Sequence, residues 1–250
     1  MRPDVIDLYR FYRSPLGEMT RDFVMLRIRN IWAHCRSQRV LGIGYTIPFL
    51  DLLREETRSA VALMPASQGV IHWPDHENSC TLSSDEAVMP FSDAVFDRIV
   101  MAHSLENANH TQQLLREVWR VLAPNGRLLV IVPNRNSIWS RLERTPFGHG
   151  KPYTLEQLTK QLCATMFRPT NWTTAMFVPP FQWQLSMKLA PHIETLGYRL
   201  LSGVGGILII EATKQIYSVS DDHSAQRKLR RALNPVMTLN HAQQNSKPTK

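Results

Sequence analysis

The sequence predicts an α/β domain on a doubly wound, mostly parallel sheet with a helical cover ahead of it. Three observations predict it. In VLGIGYTIPFLD, residues 40–51, a short apolar strand runs into a glycine-bearing turn and then a helix. From there to residue 132, strand-like runs alternate with helical periodicity, the pattern of βαβ units. The run Arg127 to Val132 is almost continuously apolar, as expected of a strand buried on both faces.

The elements follow in order. Asp4 to Cys35 reads as two helices broken near Ser14-Pro15-Leu16-Gly17. Arg39 to Ile43 is the first strand, and Phe49 to Glu56 the helix after it. Pro48 suits that helix's first turn, where its missing N–H costs nothing. Ala60 to Met64, Ser79 to Ser83 and Phe96 to Met101 read as the next three strands. Asn109 to Leu122 is an amphipathic helix with Leu114, Leu115, Val118, Val121 and Leu122 on one face. It stops at Pro124-Asn125-Gly126, ahead of the Arg127 to Val132 strand. Asn134 to Tyr153 is polar and reads as a long loop. Thr154 then caps a helix to Met166, with Gln157 in the capping-box position. Trp172 to Val178 and Ile207 to Ala212 complete seven strands, with helix over Gln182 to Leu196 between them.

Composition narrows the classes. Two hundred and fifty residues at 43% hydrophobic suffice for one domain with a sizeable core. Cys35, Cys80 and Cys163 lie far apart, with no metal-ligand spacing, and read as reduced structural thiols. No run approaches the roughly 18 apolar residues of a membrane span, and no apolar leader opens the chain, so the expected location is the cytoplasm. The net charge is +8, yet residues 214–250 alone carry seven Lys/Arg and two Asp, including RKLRR at Arg227 to Arg231. The division expected is a helical cover at 1–37, an α/β domain at 38–213, and a basic, disordered tail at 214–250. Such a tail can touch nucleic acid or acidic lipid; a solvated tail is the reading favoured.

A strand feeding a glycine turn suits a nucleotide-like cofactor, because backbone N–H groups can approach the ligand. The surrounding residues carry a resemblance. Met89-Pro90-Phe91, Asp93, Phe96-Asp97 and Leu105-Glu106-Asn107 follow the pattern LPF-x-D-x-x-FD-x-V-x-x-x-x-x-LEH. Glu117 to Leu122, followed by Ala123-Pro124-Asn125-Gly126, matches E-x-x-RVL-x-PGG. Over roughly Gln38 to Val132 the chain resembles the class I S-adenosylmethionine-dependent methyltransferases, specifically their type 11 group. Val132 to Arg135 and Thr145 to Gly150 look like features of a bacterial subgroup.

The resemblance implies a seven-stranded Rossmann-like sheet, with the cofactor across the C-terminal ends of the first, second and fourth strands. It implies that Gly42, Gly44, Tyr45 and Thr46 line the methionine part, with Met64 near the ribose. Asp85 would take the adenine amino group, Glu86 would lie beside it, and His103 would face the sulfonium. The departures are specific. The family's D-x-G-x-G-x-G has Gly42 at its acidic position and Thr46 and Pro48 at its later glycines; Met64 or Pro65 replaces the ribose-binding acid. Each lost bond to a charged partner costs about 1.5–3 kcal/mol, or one to two decades of affinity. Glu55, Glu56 or His76-Glu77 are the candidate compensators.

Each site residue has a plainer alternative. Any tight turn would demand Gly44, a solvated loop would suit Asp85, and a satisfied strand end would suit His103; Glu106 reads as a helix-start charge. Asn134 and Arg135 follow the fifth strand, on the substrate rim. There Arg135 is either a carboxylate or phosphate clamp or a surface cation. His149, between Gly148 and Gly150, is a general-base candidate. Trp172, Phe177, Phe181 and Trp183 suit either a core or an apolar substrate wall. The expected activity is methyl transfer from S-adenosylmethionine to a small molecule. Its competitors are a non-catalytic relative of the same fold and an enzyme acting on nucleic acid; a nicotinamide oxidoreductase fits less well.

Overall fold

The glycine turn that opens the sequence argument sits at the middle of a seven-stranded sheet. In this computed structural model the strands are β1 (Arg39–Gly44), β2 (Ser59–Pro65), β3 (Thr81–Ser84), β4 (Phe96–Ala102), β5 (Leu122–Pro133), β6 (Phe167–Ala175) and β7 (Ile207–Lys214). Residues 2–179, 184–201 and 203–216 are described. The chain divides into two units, Met1–Ile216 and Tyr217–Lys250, and the second lies outside the described residues. The tail motif at Arg227 to Arg231 therefore also lies outside them. Lys214, expected to open the tail, is the last residue of β7, and its ammonium donates to the Leu122 carbonyl at 2.8 Å.

The spatial order is β3-β2-β1-β4-β5-β7-β6. The first five strands pair in parallel, whereas β7 runs antiparallel to β5 and β6. The order reverses between β1 and β4, which makes their C-terminal ends the topological switch point. The helices are α1 (Val5–Tyr12), α2 (Pro15–Ile31), α3 (Ile47–Arg54), α4 (Thr111–Val121), α5 (Leu155–Ala164) and α6 (Gln184–Leu200).

Two apolar layers flank the sheet. One packs α1, α2 and α3 through Leu8, Val24, Ile28, Phe49 and Leu53. The other packs α4 and α5 through Leu114, Val118, Leu158 and Leu162. The break between α1 and α2 has a local cause: Ser14 accepts the Gly17 N–H at 3.1 Å, and Pro15 follows it in the first turn. Thr154 and Gln157 form the expected reciprocal capping box.

Some boundaries differ from the sequence reading. The strand expected at Trp172 begins at Phe167, because β7 hydrogen-bonds it from there. The helix expected to end at Leu196 runs to Leu200. The loop between Asn134 and Tyr153 holds two short 3-10 turns, Trp139–Arg141 and Pro146–Gly148.

Candidate functional site

The turn after β1 needs both of its glycines for packing against protein. Gly44 has φ +83°, and a Cβ there would lie 2.2 Å from the Ala102 carbonyl of β4. Tyr45 N–H donates to that same carbonyl at 3.0 Å. A Cβ on Gly42 would lie 2.0 Å from Thr46 Oγ1. The turn is thus clamped onto β4, and His103, the first residue past β4, is itself left-handed at φ +53°.

Across these strand ends lies the N-terminal segment. The Arg2 guanidinium pairs with Glu86 and reaches Ser67. Val5 N–H donates to Gln68 O at 2.9 Å, and the Gln68 amide reaches His103 O. Tyr12 brings its hydroxyl to 2.8 Å from His103 Nε2, stacks on Tyr45 at 5.7 Å and meets Phe49 edge-on. Phe147 closes the other side, 4.8 Å from the His103 ring. Thr46, Met64 and His103 are sealed from solvent as a result.

The polar groups under this cover are poorly satisfied. Glu106, in the 3-10 turn Leu105–Asn107, is buried, and neither of its carboxyl oxygens has a partner. His103 Nδ1 lies 3.7 Å from Glu106 Oε1 and is also unpartnered, as are Thr46 Oγ1 and Gln68 Oε1. Burial pushes the Glu106 carboxyl up to about 8. The nearby Glu106 and Ser104 amides and Arg2 pull it down, while Glu86 pushes it further up. Burial holds His103 down at about 3, so both side chains are mainly neutral at pH 7. Burial also raises the Tyr12 hydroxyl well above its usual value. Buried polar atoms without partners mark a place where water or a polar ligand would be stabilised.

Gly42, Gly44, Tyr45, Thr46, Met64, Glu86 and His103 come together at the ends of β1, β2, β3 and β4. Asp85 stays apart: it is exposed, and its carboxylate accepts the Ala87 N–H at 2.9 Å. Asn134 is a buried staple whose side-chain amide donates to the Gly203 and Gly205 carbonyls. Arg135 is exposed and donates to Pro152 O at 3.1 Å, and His149 is half-buried in the Pro146–Gly148 turn region. Glu56 and Glu77 are engaged elsewhere, by Arg29 and Arg54. Of the aromatic wall, Trp172 packs against the α4/α5 layer and Phe177 lines a cavity by α6; Phe181 and Trp183 lie outside the described residues.

Sequence reasoning missed Tyr12 and Arg2, and read Glu106 as a helix-start charge. The structure corrects that reading, because no water reaches Glu106 to support a charge. The fit to an adenosyl cofactor is mixed. The orphaned polar atoms suit a bound polar group, but Tyr12 and Arg2 occupy the approach and Met64 supplies no ribose anchor. In this arrangement Tyr12 and Arg2 close the crevice, and the unpartnered atoms beneath them are the groups that would face a cofactor.

A family described as "Methyltransferase domain" (type 11) matches residues 31–130. Among curated relatives, the demethylmenaquinone methyltransferase of Mycolicibacterium paratuberculosis is 43% identical over 103 residues, 38% of this chain and 45% of that protein. A ubiquinone/menaquinone biosynthesis C-methyltransferase of Laribacter hongkongensis is 38% identical over 60 residues, 24% of each chain. These matches span less than half the length of either relative. Among solved structures, a SAM-dependent methyltransferase from Archaeoglobus fulgidus aligns at TM-score 0.58 and 21% identity, covering 84% of this chain and all of that one. The S-adenosylhomocysteine complex of 1,6-didemethyltoxoflavin-N1-methyltransferase from Burkholderia thailandensis aligns at TM-score 0.51 and 13% identity, covering 84% and 82%. At these identities the structural likeness speaks for the fold. The matched residues 31–130 run from the end of α2 into β5 and include the whole switch point, so this part of the chain is similar to a type 11 methyltransferase domain.

Proposed function

We propose that this chain transfers a methyl group from S-adenosylmethionine to a small-molecule acceptor. The observation that carries the reading is the family match across β1 to β5, with the Gly44 turn at the sheet's switch point. When bound, the cofactor supplies an electrophilic methyl on its sulfonium, so the protein's task is alignment and water exclusion. The chain's own residues offer a tightly held turn at Gly42 to Thr46, a carboxylate at Glu86 and a dry, neutral pair at His103 and Glu106. For the cofactor to reach them, Arg2 has to release Glu86 and Tyr12 has to leave His103. One curated relative is named a C-methyltransferase of ubiquinone/menaquinone biosynthesis, while the solved neighbour with bound S-adenosylhomocysteine is named an N1-methyltransferase. The reading favours a small molecule and leaves the accepting atom open.

The test is mass spectrometry of the gently denatured protein for copurified S-adenosylhomocysteine, followed by calorimetry with both forms of the cofactor. Micromolar to sub-millimolar binding is expected. Absence of heat at millimolar ligand would sink the enzyme reading. It would favour a second one, a methyltransferase-like binding module, for which the sealed crevice and the two lost acidic anchors speak.

A further inference from the structure

A second hollow lies at the same end of the sheet. A cavity of about 420 Å³ opens between the loop after β5, the loop after β6 and α6. β5 and β6 both end there and β7 begins there, because β7 is antiparallel to each. β1, β4 and β5 are mutually parallel, so this is also the end that carries Gly44 and His103.

Its walls are tied in place. Trp139 on the loop after β5 donates its indole N–H to Val178 O at 2.8 Å. Glu194 of α6 accepts the Met176 and Phe177 N–H groups and pairs with the buried Arg27 at 3.1 Å. Gly197 lets α6 approach, since a Cβ there would lie 2.5 Å from Phe177. A concave, cross-tied and largely apolar space of this volume has the character of a small-molecule site. Among the described residues no charged side chain lines it. Its polar lining is Asn136 and Ser137, and the Ser137 hydroxyl is already committed to Asn134 O at 2.7 Å. Leu200, Leu201 and Val204 form an exposed apolar lip.

The cavity also neighbours the covered crevice. Trp139 packs on Phe147 at 6.0 Å, and Phe147 on His103 at 4.8 Å. Two rings therefore separate it from the His103–Glu106 pair.

We propose that this cavity receives the apolar body of an uncharged, ring- or chain-bearing molecule. Its role as the methyl acceptor's site rests on the function proposed above; its preference for apolar ligands does not. Among the described lining residues a carboxylate, phosphate or ammonium would find no charged partner, so these walls disfavour amino acids and nucleotides. Apolar surface would instead be removed from water on both sides.

The test uses the full chain and N-phenyl-1-naphthylamine, an uncharged probe that fluoresces in apolar sites, against its sulfonated relative 8-anilino-1-naphthalenesulfonate. Leu200→Glu and Val204→Glu change lip residues that are more than half exposed, so the fold should be retained, with circular dichroism as the check. Micromolar binding of the uncharged probe is expected, at least tenfold preferred over the sulfonate and weakened at least tenfold by either variant. S-Adenosylhomocysteine binding should be unchanged in both. Unaltered probe binding in both variants would overturn the proposal, as would a variant that only converts a dimer to monomer in sedimentation. If the probe behaves as expected while S-adenosylhomocysteine gives no heat, the apolar site stands and the methyl-transfer reading falls.

Discussion

Replacing Glu106 with Gln should remove a pH dependence that the buried carboxyl writes into the stability of this fold. Glu106 titrates at about 8 when folded, against an ordinary 4.5 in the unfolded chain, chiefly because burial disfavours its charge. Arg2, Glu86, His103, Tyr12 and Tyr153 are the titratable groups around it. With the folded value raised, the folded protein keeps a proton that the unfolded chain gives up above pH 4.5. Stability is therefore fully present below 4.5 and falls by about 1.4 kcal/mol per pH unit until roughly pH 8. His103 has the opposite sign: held at about 3 against 6.5, it costs stability as pH falls from 6.5 toward 3. The two slopes cancel between about pH 4.5 and 6.5, so the pair alone gives a plateau there and a decline on either side. Between pH 7 and 9 the Glu106 contribution is about 1–2 kcal/mol, on the order of 3–6 °C in Tm for a unit of this size. Gln keeps the shape of the neutral acid, and its amide can donate toward His103 Nδ1. Thermal unfolding by circular dichroism from pH 5 to 9 is the assay, with Glu106→Gln expected to gain stability up to about pH 6.5 and then stay level through pH 9, where the parent protein declines. Parallel Tm-versus-pH curves for the two proteins would refute the reasoning.

Other perturbations act on the cover, the turn and the buried pair. Arg2→Ala should tighten S-adenosylhomocysteine binding about ten- to a hundredfold, since a charge-assisted contact holding the cover shut is worth about 1.5–3 kcal/mol; calorimetry showing weaker binding would count against a closing role. Tyr12→Phe removes the bond to His103 but keeps the ring stack, so a smaller gain of about three- to fivefold is expected in the same titration. Gly44→Ala combines a left-handed φ with a backbone clash and should cost more than about 3 kcal/mol in urea unfolding. Glu194→Ala strands the buried Arg27 and should cost about 3–5 kcal/mol; a loss below 1 kcal/mol would show that water repairs the site.

Much of the fold was legible because its signals are local. The Ser14-Pro15 break, the Thr154/Gln157 capping box and the apolar face of α4 each depend on residues a few positions apart. The early start of β6 was not, because Phe167 to Asn171 joins the sheet by pairing with β7, some forty residues later. At the site, strand-end placement of Gly44, Glu86 and His103 followed from the resemblance to the methyltransferase family. The cover did not: Arg2 meets Glu86 across 84 positions, and Tyr12 meets His103 across 91. Glu106 was misread because a carboxylate beside a helix start is ordinarily solvated, whereas packing by residues distant in sequence buries this one.

The central claim is that a methyl-donor crevice lies at the Gly44 turn beneath a removable N-terminal segment. Hydrogen exchange of the full chain during titration with S-adenosylhomocysteine tests it most directly. The account predicts saturable binding, slower exchange at residues 42–46, and faster exchange at residues 5–12 as Tyr12 is displaced. Saturable binding that leaves residues 5–12 more protected, or no change at residues 42–46 at millimolar ligand, would contradict it.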